Sequence, residues 1–424
     1  MSENLNQKSW EILFERYNIL EEIENNGIFY ISSEQIKPVR EPRLMAKFDH
    51  TINLPPIFSK NGLSILPITR GDYAIAHFDA YHPFEPLSSD IIQASMPTHI
   101  QSININSITS ETVALNCAVA AGIIADFTED FDILPTVSGR MGSGDFNFYI
   151  KDNVANSQIS VNVSNSQIEI DAAYEGVNYL TLIEAKRDIS DDFLVRQLYY
   201  PYRVWQSRVA KPVKPVFLVY SNGIYHLYEY TFRDPNEYSS LEIVKQKNYS
   251  IEDTEITIDD IFDIVKNIQV KKEPPYAPFP QADSFERVIN LCELICNGDY
   301  NHSQITLNYA FDGRQTNYYV SAGVYLGLIE QPERHKPYKL SSVGTAILHL
   351  NYKQRQLAFC KMILSHKAFL EVLKQYFCNG QMPEKEKIVE IMKSCDLHNV
   401  GASSTYYRRA STIRSWIEWI VSLI

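Results

Sequence analysis

Apolar and polar positions are most regularly patterned between residues 168 and 230. Ile168-Glu169-Ile170-Asp171 alternates with a period of two, the spacing of a strand with one buried face. Tyr179-Leu180-Thr181-Leu182-Ile183 is an unbroken apolar run, suited to a strand buried on both faces, and it ends in Glu184-Ala185-Lys186. Between them, Tyr174-Glu175-Gly176-Val177-Asn178 predicts a hairpin turn. The spacing then predicts a helix over 192–200, a strand over 214–220, a turn at Asn222-Gly223 and a strand over 224–230. Upstream, residues 110–127 carry small apolar side chains at helical spacing behind Ser110, a good N-cap. Residues 138–145 predict a glycine-rich turn leading into a strand over 146–150. Residues 63–75 predict two short strands joined at Arg70-Gly71-Asp72.

The character changes after residues 271–280, which are proline-dense and predict an extended interdomain linker. Beyond it the pattern is helical. Helices are expected over 285–296, 303–310 and 313–329, followed by a strand-like segment over 339–344. Two more are expected over 382–395, introduced by Pro383, and over 403–419. In the last, Ile413, Trp416, Ile417 and Ile420 form an apolar face while Thr405, Arg408, Arg409 and Thr412 share a polar one. The chain therefore divides into an N-terminal region (1–100), a central α/β core (101–270), a linker (271–281) and a helical region (282–424).

A chain of 424 residues can bury a large core and hold two or three domains. It has no apolar run of membrane-spanning length and no secretion signal, so a cytoplasmic location without membrane partners is expected. The six cysteines lack paired metal spacing; Cys292 and Cys296 share a helix face without a second pair. The net charge of −12 argues against a sequence-blind DNA coater. It is unevenly spread: from residue 281 onward 16 Lys+Arg meet 13 Asp+Glu, leaving 23 against 38 in the remainder. Binding to a polyanion depends on local basic patches rather than on the total.

The candidate chemistry sits at the strand ends. Residues i and i+2 of a strand share a face, so Glu184 and Lys186 point together and Ala185 points away. A hairpin folds Asp171 back toward Glu184. Mg²⁺ takes oxygen ligands and keeps several waters, and Asp171, Glu184 and the Ala185 carbonyl can supply three oxygens. Lys186 would orient or deprotonate a water and stabilise charge at phosphorus. Without a cation two facing carboxylates repel, so the cluster suits a cation site better than a surface ion pair.

These residues resemble the signature of the PD-(D/E)xK nuclease superfamily, with Asp171 as the first acid and Glu184-Ala185-Lys186 as the second acid and lysine. Ile170 stands where the name-giving pattern has proline. The resemblance implies a restriction-endonuclease-like mixed sheet flanked by helices, with Asp171, Glu184 and Lys186 as metal-binding and water-activating residues. Gln197 resembles a glutamine that several such nucleases place after the lysine strand; it equally fits a surface helix. Some of these nucleases carry a glutamate on the opening helix, which makes Glu111 a further candidate; as a first-turn acid it is also favoured by the helix dipole. Arg140 could touch a DNA phosphate, and Asp145 is a second-choice acid.

The helices of 285–329 with the segment 339–344 resemble a winged helix-turn-helix, whose third helix enters the major groove. Arg314, Gln315, Thr316, Asn317 and Tyr318 would lie at its reading end, with the chemistry to address guanine, adenine or phosphate. Thr405, Arg408, Arg409 and Thr412 suggest a second DNA-binding helix, or else a core or dimerisation helix. In the N-terminal region Arg43, Lys47 and Arg70 could contact DNA or be solvated surface charges. As a whole the chain looks similar to bacterial type II restriction endonucleases. The resemblance implies an Mg²⁺-dependent, sequence-specific, double-strand DNA endonuclease. It would act as a homodimer, beside a cognate methyltransferase that protects host DNA without needing to bind the enzyme. The alternatives are a structure-specific repair or recombination nuclease and a noncatalytic DNA-binding regulator on the same scaffold.

Overall fold

The structure is a computed structural model describing residues 5–155, 157–333, 335–398, 400 and 403–424. The strand expected over 146–150 pairs with Gln158–Ser164 in a separate hairpin, while the strands expected around 168–171, 179–186, 214–220 and 224–230 join one seven-stranded mixed sheet. From one edge to the other it runs Ile91–Gln93, Leu241–Ser250, Ile224–Phe232, Val213–Ser221, Leu180–Lys186, Gln167–Glu175, Leu134–Gly142. Leu180–Lys186 lies parallel to Val213–Ser221, and helix Arg196–Gln206 makes the crossover between them. Ile91–Gln93 is also parallel to its neighbour, and the remaining pairs are antiparallel. Alternation along Val213–Ser221 splits the core. Phe217 and Val219 pack with Leu198, Tyr199 and Tyr202 of the crossover helix. Val216, Leu218 and Tyr220 pack with helices Glu111–Ala120 and Ile123–Thr128 on the other face.

The N-terminal unit has its own core around Trp10, Phe14 and Phe58 and a three-stranded sheet. In it Ser64–Pro67 and Asp72–Ala76 form the expected hairpin around Arg70-Gly71-Asp72. The C-terminal part is helical and shares one large core with helix Ile258–Asn267. Among the described residues no helix is long and apolar enough to cross a membrane.

Several local expectations are corrected. The helix expected over 110–127 is broken in two, because Gly122 takes a left-handed φ of 74°. Ser110 does cap its start, accepting from the Val113 amide. The glycine-rich stretch 138–145 is mostly strand, not turn. Leu134–Gly142 pairs with Gln167–Glu175 through a bulge at Gly139, which adopts φ 91°, the positive-φ role open to glycine. Segment 339–344 forms no wing. It contributes one isolated bridge, Ile329 to Leu340, and Ser341 then caps helix Ser342–Leu348. The third helix ends at Tyr325, short of the expected 329. The proline-dense segment is irregular as expected, but it is packed rather than free: Ala277 and Phe279 are buried in the C-terminal core.

Candidate active site

The site begins at the turn between two strands. Buried Asp130 accepts hydrogen bonds from the Asn178 and Tyr179 amides and from the Asn178 side chain, at 2.9–3.2 Å. This cradle sets the register in which Leu180 faces Glu175 and Ile183 faces Ala172. The next opposed residues are Asp171 and Glu184, and opposed residues of an antiparallel pair share a face. Asp171 therefore lies within its strand, not at its end as the alternation suggested; the strand runs on to Glu175. The ladder stops there because the Asp171 carboxylate takes the place of a main-chain acceptor: its Oδ2 accepts from the Ala185 amide at 2.8 Å. The N–H and C=O of a strand residue face the same edge. The Ala185 carbonyl therefore also faces the opened edge beside Asp171.

Glu184 is buried at the end of its strand. Its Oε1 accepts from Lys186 Nζ at 2.5 Å and from Gln197 Nε2 at 2.7 Å. Burial, helped by the nearby Asp171 charge, pushes the Glu184 carboxyl up to about 7 against the pull of Lys186. For Lys186, burial works against the ammonium, but Glu184, then Asp49 and Asp171, outweigh it and raise its affinity for the proton. Gln197 is anchored through its amide nitrogen, while its Oε1 is buried without a protein partner. Asp171 and Glu184 thus each commit one oxygen to a protein donor.

Among the described residues no three His, Cys, Asp or Glu side chains converge as a metal-binding group. An all-protein cage of the calcium type is not built here. Two carboxylates beside a main-chain carbonyl do fit Mg²⁺, which is commonly held by one or two carboxylates with water and substrate phosphate completing its shell. The orphaned Gln197 oxygen suits a water in that shell.

Asp171, Glu184, Ala185, Lys186 and Gln197 line a cleft of about 660 Å³. One wall belongs to the sheet and its crossover helix, with Arg140, Glu169 and Arg196. The other belongs to the N-terminal unit, with Arg43, Lys47, Asp49 and Arg70. Glu111 and Thr112, at the start of the opening helix, also line the cleft. Six cations (Arg43, Lys47, Arg70, Arg140, Lys186, Arg196) face five acids (Asp49, Glu111, Glu169, Asp171, Glu184). The cleft is therefore basic by one charge within a chain of net −12.

The N-terminal wall is held by a clamp around His50. The Asp49 carbonyl accepts from the Leu194 amide at 2.9 Å, and the Phe48 carbonyl accepts from Tyr81 Oη at 2.9 Å. The buried His50 ring has Nδ1 2.6 Å from the Asp192 carbonyl and Nε2 3.5 Å from Asp188 Oδ2. Burial opposes its charge, but the neighbouring Asp188 and Asp192 overcome this and lift its pKa to about 10. The same contacts hold Asp188 below the usual carboxylate range despite burial.

The structure thus brings Asp171, Glu184, Ala185, Lys186, Gln197, Glu111 and Arg140 together with Arg43, Lys47 and Arg70. Asp145 lies outside the cleft, bonded to Ser164 on the adjoining hairpin. The C-terminal candidates are elsewhere, and none lines the cleft. Arg314 and Asn317 are exposed, and Gln315 and Tyr318 half-buried, but Thr316 is fully buried against Thr306 and cannot reach a base. On the last helix Arg408 is exposed and Thr405 half-buried. Thr412 is buried and donates to Asp283 at 2.8 Å, and Arg409 donates to the Phe279 carbonyl. Those two residues fasten the last helix to the chain at Phe279 and Asp283 instead of forming a DNA-reading face. Sequence reasoning missed Asp49, His50 and Arg196. The mixture of charged and apolar residues over 40–50 was the only local sign of the first two, and Arg196 adjoins Gln197 at the helix start.

Comparison with known proteins yields three domain matches. Residues 7–75 match a domain of unknown function (DUF6996), residues 76–250 a second (DUF6997) and residues 287–424 a third (DUF7226). The acids, lysine and glutamine of the site fall in the second; Arg43, Lys47, Asp49 and Arg70 fall in the first. No curated protein and no solved structure matches the chain.

Proposed function

We propose that this protein is a divalent-cation-dependent DNA endonuclease, of the restriction type that the Asp171…Glu184-Ala185-Lys186 pattern resembles. The observation that carries the reading is the convergence of Asp171, Glu184, Lys186 and Gln197 on one sheet face, beneath a basic rim drawn from two parts of the chain. A mixed sheet with flanking helices is what that resemblance implies, and it supports the reading.

In this mechanism Arg43, Lys47, Arg70, Arg140 and Arg196 hold phosphates of the DNA backbone and bring one phosphodiester over the acids. Asp171, Glu184 and the Ala185 carbonyl would hold Mg²⁺, which supplies charge neutralisation at the phosphate. Gln197 keeps Glu184 in one orientation, and its free oxygen would accept a hydrogen bond from the attacking water. Lys186 aligns that water and stabilises charge growing on the phosphoryl oxygens. The water oxygen bonds to phosphorus and loses a proton to solvent, the ester P–O bond breaks, and the departing oxygen takes up a proton from solvent. Cutting both strands with one site per chain calls for two copies.

The test is incubation with unmethylated plasmid and with a branched DNA, in Mg²⁺ and in excess chelator. Discrete plasmid fragments that require Mg²⁺ are expected. Cutting confined to the branched DNA would favour a repair or recombination role, and retarded but intact DNA a regulator. Asp171→Ala and Glu184→Ala should bind DNA without cutting it, and Lys186→Ala should lower the rate by about 10²–10⁴-fold. Cleavage that survives all three substitutions would remove the assignment.

A further inference from the structure

The Lys186 ammonium already occupies Glu184. Its Nζ lies 2.5 Å from Oε1. A divalent cation bound to that carboxylate would meet a positive charge at close range, and like charges at such separation repel strongly in a buried site. The lysine stem is long and flexible, so the ammonium can move if another anion receives it. Asp171 cannot, because in the reading above it is itself a cation ligand.

We propose that Asp49 is that second counter-ion: it takes the Lys186 ammonium when a divalent cation claims Glu184. This rests on the cation site proposed above and adds a positioning residue to it. Four observations converge on Asp49. It lines the same cleft as Lys186. Its charge, like that of Asp171, favours the protonated ammonium of Lys186. Its only ion-pair partner among the described residues is Lys47, at 3.5 Å, whose side chain is 66% exposed and easily released to water. Its backbone is fixed by the Leu194 amide and flanked by the Tyr81 and His50 contacts, so the carboxylate is delivered by a built segment. The site is then complete only when the N-terminal unit is docked, since Asp49 belongs to a different domain match from Lys186.

The test is Mn²⁺ binding to the full chain, followed by calorimetry and by the loss of the free-ion electron paramagnetic resonance signal, with no DNA present. Asp49→Asn should weaken Mn²⁺ binding about tenfold, within the coupling range of neighbouring groups. Asp49→Glu, which keeps the carboxylate, should restore it. Glu169→Gln, which removes a cleft acid paired to Arg140, should leave it unchanged. In a Lys186→Met background Asp49→Asn should have no further effect, because no ammonium remains to be received. Wild-type affinity in Asp49→Asn would overturn the proposal. So would an equal loss with and without Lys186, which would mean that Asp49 acts on the cation directly. Failure of the wild type to bind Mn²⁺ would instead remove the cation site itself, and this inference with it.

Discussion

His50 offers the sharpest test of how the N-terminal wall is held. Its ring is buried between the Asp192 carbonyl and Asp188, and its pKa is lifted from 6.5 to about 10. A raised pKa means that the folded state binds the proton more tightly. At ~1.4 kcal/mol per pH unit, the shift corresponds to stabilisation on the order of 5 kcal/mol. That contribution is fully present below about 6.5, declines steadily as pH rises, and is gone above about 10. His50→Leu removes it and leaves Asp188 buried without its partner; breaking a buried pair in this way costs ~3–5 kcal/mol. The two routes agree in size. The assay is hydrogen–deuterium exchange of segments 46–54 and 186–195, corrected for intrinsic rates. At pH 7 the variant should lose about 10²–10³-fold of protection there. Between pH 7 and 10 the wild type should approach the variant, whose own protection stays flat in that range. Unchanged protection in His50→Leu, or wild-type protection that does not fall toward pH 10, would refute the clamp.

Other outcomes follow from the same structure. A Cβ on Gly176 would lie 2.3 Å from Asp130 Oδ2, so Gly176→Ala should cost about 1–3 kcal/mol in a urea titration and slow cleavage by disturbing the register of Asp171 against Glu184; an unchanged midpoint would count against the Asp130 cradle. Thr412→Val should cost about 1–3 kcal/mol by stranding Asp283 while leaving DNA affinity intact; weaker DNA binding at unchanged stability would return the last helix to the interface. Arg70→Ala and Arg196→Ala should each reduce the slope of log affinity against log salt by about 1. Arg408→Ala, which lies outside the cleft, should not, and an equal drop there would shift the DNA contact to the C-terminal helices.

The acid–acid–lysine cluster was legible because its parts are local. One hairpin joins its strands, and strand alternation assigns their faces without reference to the rest of the molecule. Even so, Asp171 was misplaced at a strand end, since nothing in the pattern says that an aspartate will replace a main-chain acceptor and open the ladder. The partners across the cleft were not legible. Asp49 and Lys186 fall in different domain matches, and the charges over 40–50 read equally well as solvated. The wing was expected because Lys339-Leu340-Ser341-Ser342-Val343-Gly344 has strand-like residues. A serine cap and the close fit of Gly344 against the Leu328 carbonyl made it a helix start instead. Thr316 and Thr412 illustrate a general ambiguity: a small hydroxyl on a helix satisfies either solvent or a buried partner, and spacing alone does not distinguish them.

The acidic character of the chain is compatible with a DNA substrate only because of how the N-terminal unit is placed. Within residues 76–250 the cleft contributes Arg140, Arg196 and Lys186 against Glu111, Glu169, Asp171 and Glu184, an excess of one negative charge. Residues 7–75 add Arg43, Lys47 and Arg70 against Asp49, and the balance turns positive. A divalent cation on the two central acids would raise it further, which is how an acidic site comes to accept a polyanion. The unit therefore does more than flank the sheet. It reverses the sign of the cleft that a phosphate backbone would meet, and through Asp49 it reaches the lysine on which the proposed hydrolysis depends. A chain reduced to residues 76–250 should keep every residue of the resemblance and still bind DNA poorly, because the groups that make the cleft attractive would be gone.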